Sequence, residues 1–325
     1  MAGNATIAAP GRSLPVRPAV DIVFASQIES PESWLPRLRD ALPGDRFHVW
    51  PDVPDLQAVR VALVGEPPAG ALGTLPNLKL IQSLWMGVDG LLADATLPCG
   101  VPIARMVDAG MVAAMAETVL VHVLDWHRHL YRYRAHQSES IWRRHRQYLA
   151  SDRTVGLLGL GALGHEAARR LLSFGFKVCG WSRRPKRLEG IESFTDLDEV
   201  LRRSQVLVCL LPLTAQTRGV LNAAAFAKMP EHSCVINIAR GGHVVERDLL
   251  GALDSGHLAH AYLDVFETEP LPAAHPFWRH PGVTLTPHCA ALTEPRTAVP
   301  VLVENIERVR RGEPALNLVD RVAGY

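Results

Sequence analysis

The chain has 325 residues, enough for two domains, and its 48% hydrophobic and 21% charged residues are typical of a globular protein. A formal net charge of +1 argues against a protein built to bind nucleic acid or another polyanion. No uninterrupted apolar run approaches the ~20 residues that span a bilayer, so we expect no membrane partner.

Cysteine usage and the N-terminal residues bear on the cellular compartment. The five cysteines include no Cys-x-x-Cys pair, which predicts reduced thiols in a cytoplasmic protein and no metal site. Three of them lie in strand-like runs and are predicted to be buried: Cys179, Cys209 and Cys234. Residues 1–18 predict a flexible extension, because they lack the basic start and apolar segment of a signal peptide. Arg12 and Arg17, with no acidic residue before Asp21, leave a transit peptide as the alternative.

From Ala19 onward, short apolar runs alternate with helix-sized gaps, which predicts a small parallel α/β domain. The predicted strands are Val20–Ala25, Phe47–Trp50, Val59–Val64, Lys79–Leu84 and Val101–Ala104. A helix over Pro31–Leu42 follows Ser30, which is suited to the N-cap position. An amphipathic helix predicted over Thr293–Arg311 folds back onto this domain. We therefore expect a first domain of residues 19–112, completed by residues 292–325.

One turn of this domain could bind a ligand. The segment Leu84-Trp-Met-Gly-Val-Asp-Gly90 places a glycine directly after a buried strand, where backbone N–H groups are free at the carboxyl end of the sheet. An ordinary strand-ending turn explains the glycine equally well.

A single long helix is predicted from Ala113 to about His136, followed by a stretch rich in arginine and histidine. Three histidines at a seven-residue spacing raise the alternative of a metal site: His122, His129 and His136. No carboxylate or thiol set accompanies them, which disfavours it. Ile141, Trp142 and Tyr148 follow, and they favour a subunit contact.

The strongest local pattern is a dinucleotide fingerprint after the apolar run Val155–Leu158. Its glycines are Gly159, Gly161 and Gly164. They permit a tight turn, close approach of a pyrophosphate and close packing of helix on strand, respectively. The amides of Ala162 and Leu163 begin the following helix and are expected to face the phosphates. We assign residues 113–291 to the dinucleotide-binding domain.

The next strand, Lys177–Trp181, bears on the choice of cofactor. An NAD site would carry Asp or Glu at its end, whereas this chain has Ser182, Arg183 and Arg184. Two guanidinium groups suit a 2′-phosphate, so NADP(H) is the predicted preference and NAD(H) the weaker cofactor. Two surface arginines in a polar loop are the alternative.

Three further residues fall at the carboxyl ends of predicted strands: Arg240, Asp264 and His288. Beside a nicotinamide, a guanidinium can hold a substrate carboxylate and polarise its carbonyl, as Arg240 could. A general acid must protonate the carbonyl oxygen, and histidine titrates in the right range, which indicates His288. Glu269 is the candidate carboxylate to orient that imidazole and favour its protonated form.

Four motifs in order and spacing resemble the signatures of the D-isomer-specific 2-hydroxyacid dehydrogenases, over nearly the whole chain from Ala19. They are Gly159-Leu-Gly-Ala-Leu-Gly164, Asn237-Ile-Ala-Arg-Gly-Gly242, Leu263-Asp-Val-Phe-Glu-Thr-Glu-Pro270 and Thr286-Pro-His288. Finer features look like the glyoxylate/hydroxypyruvate reductase A subgroup, among them Met86-Gly-Val-Asp89, Trp181-Ser-Arg183 and Val319-Asp-Arg-Val-Ala-Gly-Tyr325. The resemblance implies two doubly wound parallel-sheet domains, a Rossmann-type nucleotide domain and a smaller flavodoxin-like substrate domain, with a cleft between them.

The resemblance also implies a site. Arg240 would bind the carboxylate and carbonyl, His288 would exchange the proton, and Glu269 would be its partner. The amides of Met86 and Gly87 would hold the substrate carboxylate. Asp264 would hold the carboxamide of the cofactor. The other expected cofactor contacts are Leu211, Pro212, Thr217, Ile238 and Ala239.

The activity so implied is NAD(P)H-dependent reduction of a small 2-keto acid, glyoxylate or hydroxypyruvate, by a homodimer joined through its nucleotide domain. Trp142 is a candidate to reach the partner's pocket. Trp85 replaces a residue that is small in many relatives, so a tighter pocket or a different acid is an alternative. A non-catalytic nicotinamide-sensing module is another.

Overall fold

The computed structural model describes residues 18–325, so the extension predicted at residues 1–18 lies outside it except for Pro18. A first sheet has five parallel strands in the order β2-β1-β3-β4-β5. They are β1 (Asp21–Ser26), β2 (Arg46–Val49), β3 (Val59–Gly65), β4 (Leu80–Ser83) and β5 (Ile103–Ala104). This is the flavodoxin-like order, as expected.

A second sheet has seven parallel strands in the order β12-β11-β10-β9-β6-β7-β8. They are β6 (Thr154–Leu158), β7 (Lys177–Trp181), β8 (Ile191–Phe194), β9 (Val206–Cys209), β10 (Ser233–Asn237), β11 (Leu258–Leu263) and β12 (Val283–Leu285). The order reverses between β6 and β9, the switch point at which doubly wound sheets bind ligands. The predicted two-domain α/β class is confirmed, although β8 was not predicted.

Among the described residues the α-helices are α1 (Pro31–Ala41), α2 (Asp89–Leu92), α3 (Ala109–His127), α4 (Leu130–Ser138), α5 (Ala162–Ser173), α6 (Leu197–Arg203), α7 (Ala223–Phe226), α8 (Glu246–Asp254) and α9 (Pro295–Arg311). The prediction of one helix from Ala113 to His136 is wrong. His129 has a left-handed backbone with φ of 59°, which cannot continue a right-handed helix, so the chain breaks between α3 and α4.

The C-terminal helix packs on the first sheet, as predicted. Leu302 and Ile306 of α9 share a buried cluster with Trp34 and Leu38 of α1. Beyond α9, Leu318 forms an antiparallel bridge with Ala104 at the edge of the sheet. The end of the chain therefore belongs structurally with its beginning.

Helix α3 alone among the described helices is long and apolar enough to cross a membrane by length and composition. In this fold it packs on α5, and Val119, Val123 and Trp126 are buried in the core of the second sheet. The cysteines predicted to be buried are so, and they are unpaired: Cys179, Cys209 and Cys234.

Candidate active site

A cleft of about 1760 Å³ lies between the two sheets and is lined by residues of both. Its walls include the ends of β4, β6, β9 and β10, where ligands bind in α/β sheets. The volume exceeds the ~300–1,000 Å³ of common small-molecule sites, so a dinucleotide and a small acid could share it. Every residue predicted to bind substrate or cofactor lines this cleft.

His288 and Glu269 form a hydrogen-bonded pair in the cleft. His288 Nδ1 lies 2.7 Å from Glu269 Oε2, and Glu269 Oε1 accepts the Phe266 N–H at 2.8 Å. The His288 N–H donates to the Asp264 carbonyl at 2.8 Å. An Nδ1–H directed at the carboxylate leaves Nε2 as the ring atom that can exchange a proton with a substrate.

Arg240 follows β10 and reaches across to the first domain. Its Nε donates to Asp89 Oδ1 at 3.0 Å, and an NH1 hydrogen donates to the Ala239 carbonyl at 2.6 Å. A Cβ at Gly87 would lie 1.4 Å from the NH2 nitrogen, so the guanidinium occupies the space that only a glycine leaves open. The Asn237 amide donates to the Arg240 carbonyl at 2.9 Å and steadies this loop.

The turn after β4 presents free backbone donors beside Arg240. Within residues 18–325, neither the Met86 nor the Gly87 N–H donates a hydrogen bond. Trp85 precedes them and its indole N–H donates to Glu29 Oε1 at 2.7 Å. Glu29 Oε2 accepts the indole N–H of the buried Trp34 at 3.1 Å, so one carboxylate holds two indoles.

The glycine fingerprint forms the expected strand–turn–helix. Gly159 has a left-handed φ of 103°, and a Cβ at Gly164 would lie 1.9 Å from the Gly159 carbonyl oxygen. A Cβ at Gly161 would have no atom within 4 Å. Helix α5 begins at Ala162, so the amides of Ala162 and Leu163 belong to its first turn, where donors have no partner within the helix.

The basic turn after β7 is exposed. Arg183 and Arg184 make no ion pair with any described carboxylate, and Ser182 Oγ donates to the Arg184 carbonyl at 2.7 Å. Lys186, which sequence reasoning missed, donates to the Leu160 carbonyl at 2.6 Å and adds a third cation to this wall. Free guanidinium groups at this place suit the 2′-phosphate of NADP(H).

The remaining predicted cofactor residues line the same wall: Leu211, Pro212, Thr217, Ile238 and Ala239.

The buried Asp264 carboxylate accepts hydrogen bonds from Thr286 Oγ1 at 2.5 Å and from the N–H groups of Cys289 and Ala290, each at 2.9 Å. It therefore holds the turn that carries His288. Desolvation and the Asp264 charge raise the pKa of the Cys289 thiol, which disfavours a thiolate beside His288.

Sequence reasoning also missed Asp89 and Glu29. Asp89 ends the Met86-Gly-Val-Asp89 motif and could have been noticed there, whereas nothing local marks Glu29, which lies 56 residues from Trp85. The seven-spaced histidines divide between two places: His122 stacks on Tyr262, whereas His129 and His136 both contact the ring of His145.

The chain is similar in sequence to known proteins over most of its length. Residues 120–290 match the family model described as "D-isomer specific 2-hydroxyacid dehydrogenase, NAD binding domain". A glyoxylate/hydroxypyruvate reductase A of Yersinia enterocolitica is 40% identical, over 94% of this chain and 100% of its own length. A second, of Serratia proteamaculans, is 41% identical with the same coverage.

Solved structures are similar over the same extent. A D-isomer specific 2-hydroxyacid dehydrogenase of Xanthobacter autotrophicus, in complex with NADPH and MES, is 43% identical with a TM-score of 0.92, over 95% of this chain and 100% of that one. An NADPH-dependent glyoxylate/hydroxypyruvate reductase of Sinorhizobium meliloti, with NADP and sulfate, is 39% identical with a TM-score of 0.89, over 94% and 100%. The chain therefore belongs to the D-isomer specific 2-hydroxyacid dehydrogenase family.

Proposed function

We propose that this protein reduces a small 2-keto acid, glyoxylate or hydroxypyruvate, to the 2-hydroxy acid with NADPH. The observation that carries the proposal is the convergence, in one cleft, of the His288–Glu269 pair with Arg240 and the free Met86 and Gly87 amides. Bound NADPH would supply the hydride that adds to C2 of the substrate. The relatives named as glyoxylate/hydroxypyruvate reductases support this choice of acids.

Each residue has a distinct task. The amides of Met86 and Gly87 bind the substrate carboxylate, and the N–H groups of Arg240 not used by Asp89 and Ala239 bind its carboxylate and carbonyl oxygens. As the carbonyl oxygen gains negative charge, Nε2 of protonated His288 donates a proton to it. Glu269 pairs with Nδ1 and holds the orientation of the ring, so that Nε2 is the atom that faces the substrate.

The residues that would hold the cofactor fit a nicotinamide dinucleotide. The turn at Gly159 and Gly161 and the start of α5 would bind the pyrophosphate. Arg183 and Arg184 would bind the 2′-phosphate. We accordingly propose that NADP(H) is preferred over NAD(H). Equal catalytic efficiency with NADPH and NADH would contradict this part.

We also propose a cytoplasmic homodimer. Trp142 is 95% exposed, beside a surface pocket that Tyr133, His136 and Ile141 help to line. An exposed tryptophan of this kind is typical of subunit contacts, and it lies within residues 113–291, the proposed nucleotide domain. We propose that Trp142 reaches the pocket of the partner. The division into residues 19–112 with 292–325, and 113–291, is part of the same proposal.

The test is NADPH oxidation with glyoxylate, hydroxypyruvate and phenylpyruvate in parallel. We expect rapid turnover of the two small acids. His288→Ala and Arg240→Ala are expected to lose turnover and still bind NADPH. Activity with phenylpyruvate alone would show that the substrate is a bulkier acid than proposed. Full activity of either variant would contradict the mechanism.

A further inference from the structure

The end of the chain forms a compact turn, residues 320–325, which we call the C-terminal turn. It leaves the edge of the first sheet, where the Val319 N–H donates to the Ile103 carbonyl at 2.8 Å. Asp320 Oδ1 accepts the N–H groups of Val322 at 2.9 Å and Ala323 at 3.0 Å, and its carbonyl accepts that of Gly324 at 2.8 Å. The turn is thus anchored in the substrate domain and internally closed.

The C-terminal turn contacts the nucleotide domain at two places. The ring of Tyr325 lies 4.9 Å from the guanidinium carbon of Arg183, the residue after β7 that we assign to the 2′-phosphate. A Cβ at Gly324 would lie 3.6 Å from Thr214 Cγ2, in the loop after β9. Tyr325 and Gly324 also line the cleft. The turn therefore lies on the cofactor side of the cleft.

The contact with Tyr325 leaves the N–H donors of Arg183 available, because none of them donates to a residue within 18–325. A guanidinium contacts an aromatic ring through its flat face, whereas its N–H donors point outward in its plane. A guanidinium can thus contact a ring and bind a phosphate at the same time, so Tyr325 and the 2′-phosphate need not compete for Arg183. An exposed arginine without an ion pair samples many rotamers, and a ring on one face removes part of that freedom before the cofactor arrives.

We propose that Tyr325 is a positioning residue that holds Arg183 for the 2′-phosphate of NADP(H), which makes Tyr325 part of the cofactor-selectivity site. This inference rests on the proposed preference for NADP(H). It predicts that loss of the ring weakens NADPH and leaves NADH unaffected, because NADH has no 2′-phosphate.

The test is to titrate the protein with NADPH and with NADH, using nicotinamide fluorescence to detect binding. The KM of each cofactor is measured as well. Tyr325→Ala is expected to raise the Kd and KM of NADPH by about 2- to 5-fold, with kcat and the Kd of NADH unchanged. Tyr325→Phe keeps the ring and is expected to restore wild-type values. Val322→Ala is the matched control, because Val322 is 99% exposed in the same turn.

Arg183→Ala and the double variant complete the design. If Tyr325 acts through Arg183, adding Tyr325→Ala to Arg183→Ala costs no further NADPH affinity. Additive losses, an equal loss for NADH, or no effect of Tyr325→Ala would each overturn the inference. If Arg183→Ala weakens NADPH and Tyr325→Ala does not, the proposed cofactor site stands and this inference alone fails. If Arg183→Ala also leaves NADPH binding unchanged, both fail.

Discussion

Arg240 lies after a strand of the second sheet, but residues of the first domain hold its side chain in place. Its side chain comes from the nucleotide domain, while Asp89 and Gly87, on which its position depends, belong to the substrate domain. The ion pair between Arg240 and Asp89 is partly exposed, so we expect it to orient the guanidinium more than to stabilise the fold.

Gly87→Ala tests this arrangement. The new methyl carbon would lie 1.4 Å from the NH2 nitrogen of Arg240, so the guanidinium must move. A displacement of this size costs on the order of 100-fold in kcat/KM, whereas NADPH binding stays unchanged. Steady-state kinetics and cofactor titration check it. Gly90→Ala is the control, because nothing lies within 4 Å of the Cβ position there. Wild-type kcat/KM in Gly87→Ala would refute the placement.

Trp85 lines the cleft beside Met86 and Gly87, at the end that we propose for the substrate. Its indole is held by Glu29, which is itself held by the fully buried Trp34. Gly65 makes room for this group, since a Cβ there would lie 3.0 Å from Glu29 Cγ and 3.5 Å from Trp85 Cε2. We therefore propose that this fixed indole limits the pocket to small acids.

Trp85→Ala is therefore expected to raise the ratio of kcat/KM for phenylpyruvate over glyoxylate by roughly 10- to 200-fold, the range that one pocket contact commonly supplies. Trp85→Phe keeps most of the bulk and serves as the comparison. Parallel kinetics with both acids measure the ratio. A ratio that stays constant in Trp85→Ala would show that this indole does not limit the pocket.

At the scale of elements, the strand–turn–helix around the glycines was predictable. Both the backbone freedom of Gly159 and the regular spacing of the apolar residues on either side are local properties of the sequence. The edge strand Ile191–Phe194 was not, since it is short and carries an exposed Glu192. The break after α3 was missed because nothing in its composition forbids a helix, and the left-handed His129 is a tertiary outcome.

Helix α3 begins four residues earlier than predicted, at a side-chain cap. Asp108 accepts the N–H groups of Gly110 at 2.8 Å and Met111 at 3.2 Å. Asp108→Ala is expected to lower the free energy of unfolding by about 1 kcal/mol, and Asp108→Asn, which keeps an acceptor, by much less. Urea denaturation of both variants measures the difference. Equal losses would assign the effect to something other than the cap.

At the scale of the whole molecule, the proposed dimer makes a prediction of its own. Trp142→Ala should weaken self-association, because Trp142 is the most exposed of the large aromatic side chains in the described residues. Light scattering after size-exclusion chromatography over a dilution series measures it. Trp278→Ala, at a half-exposed tryptophan elsewhere, is the control and should leave the mass unchanged. Equal masses for both variants and wild type would exclude Trp142 from the contact.

The sequence by itself determined the α/β class with two parallel sheets and the glycine turn, and it predicted Arg240, Glu269 and His288 as site residues. The spacing of apolar residues in strands, the conformations of glycine and short motifs are all encoded within a few neighbouring residues. Tertiary structure alone decided the pairs that shape the site: Arg240 with Asp89, Trp85 with Glu29, and Arg183 with Tyr325. The first two of these pairs are separated by 151 and 56 residues in the chain. Trp85 meets Glu29 when the strands of the first sheet pair, Arg240 meets Asp89 when the two sheets come together, and Arg183 meets Tyr325 when the C-terminal segment returns. No local pattern carries that information, because it depends on how distant segments pack.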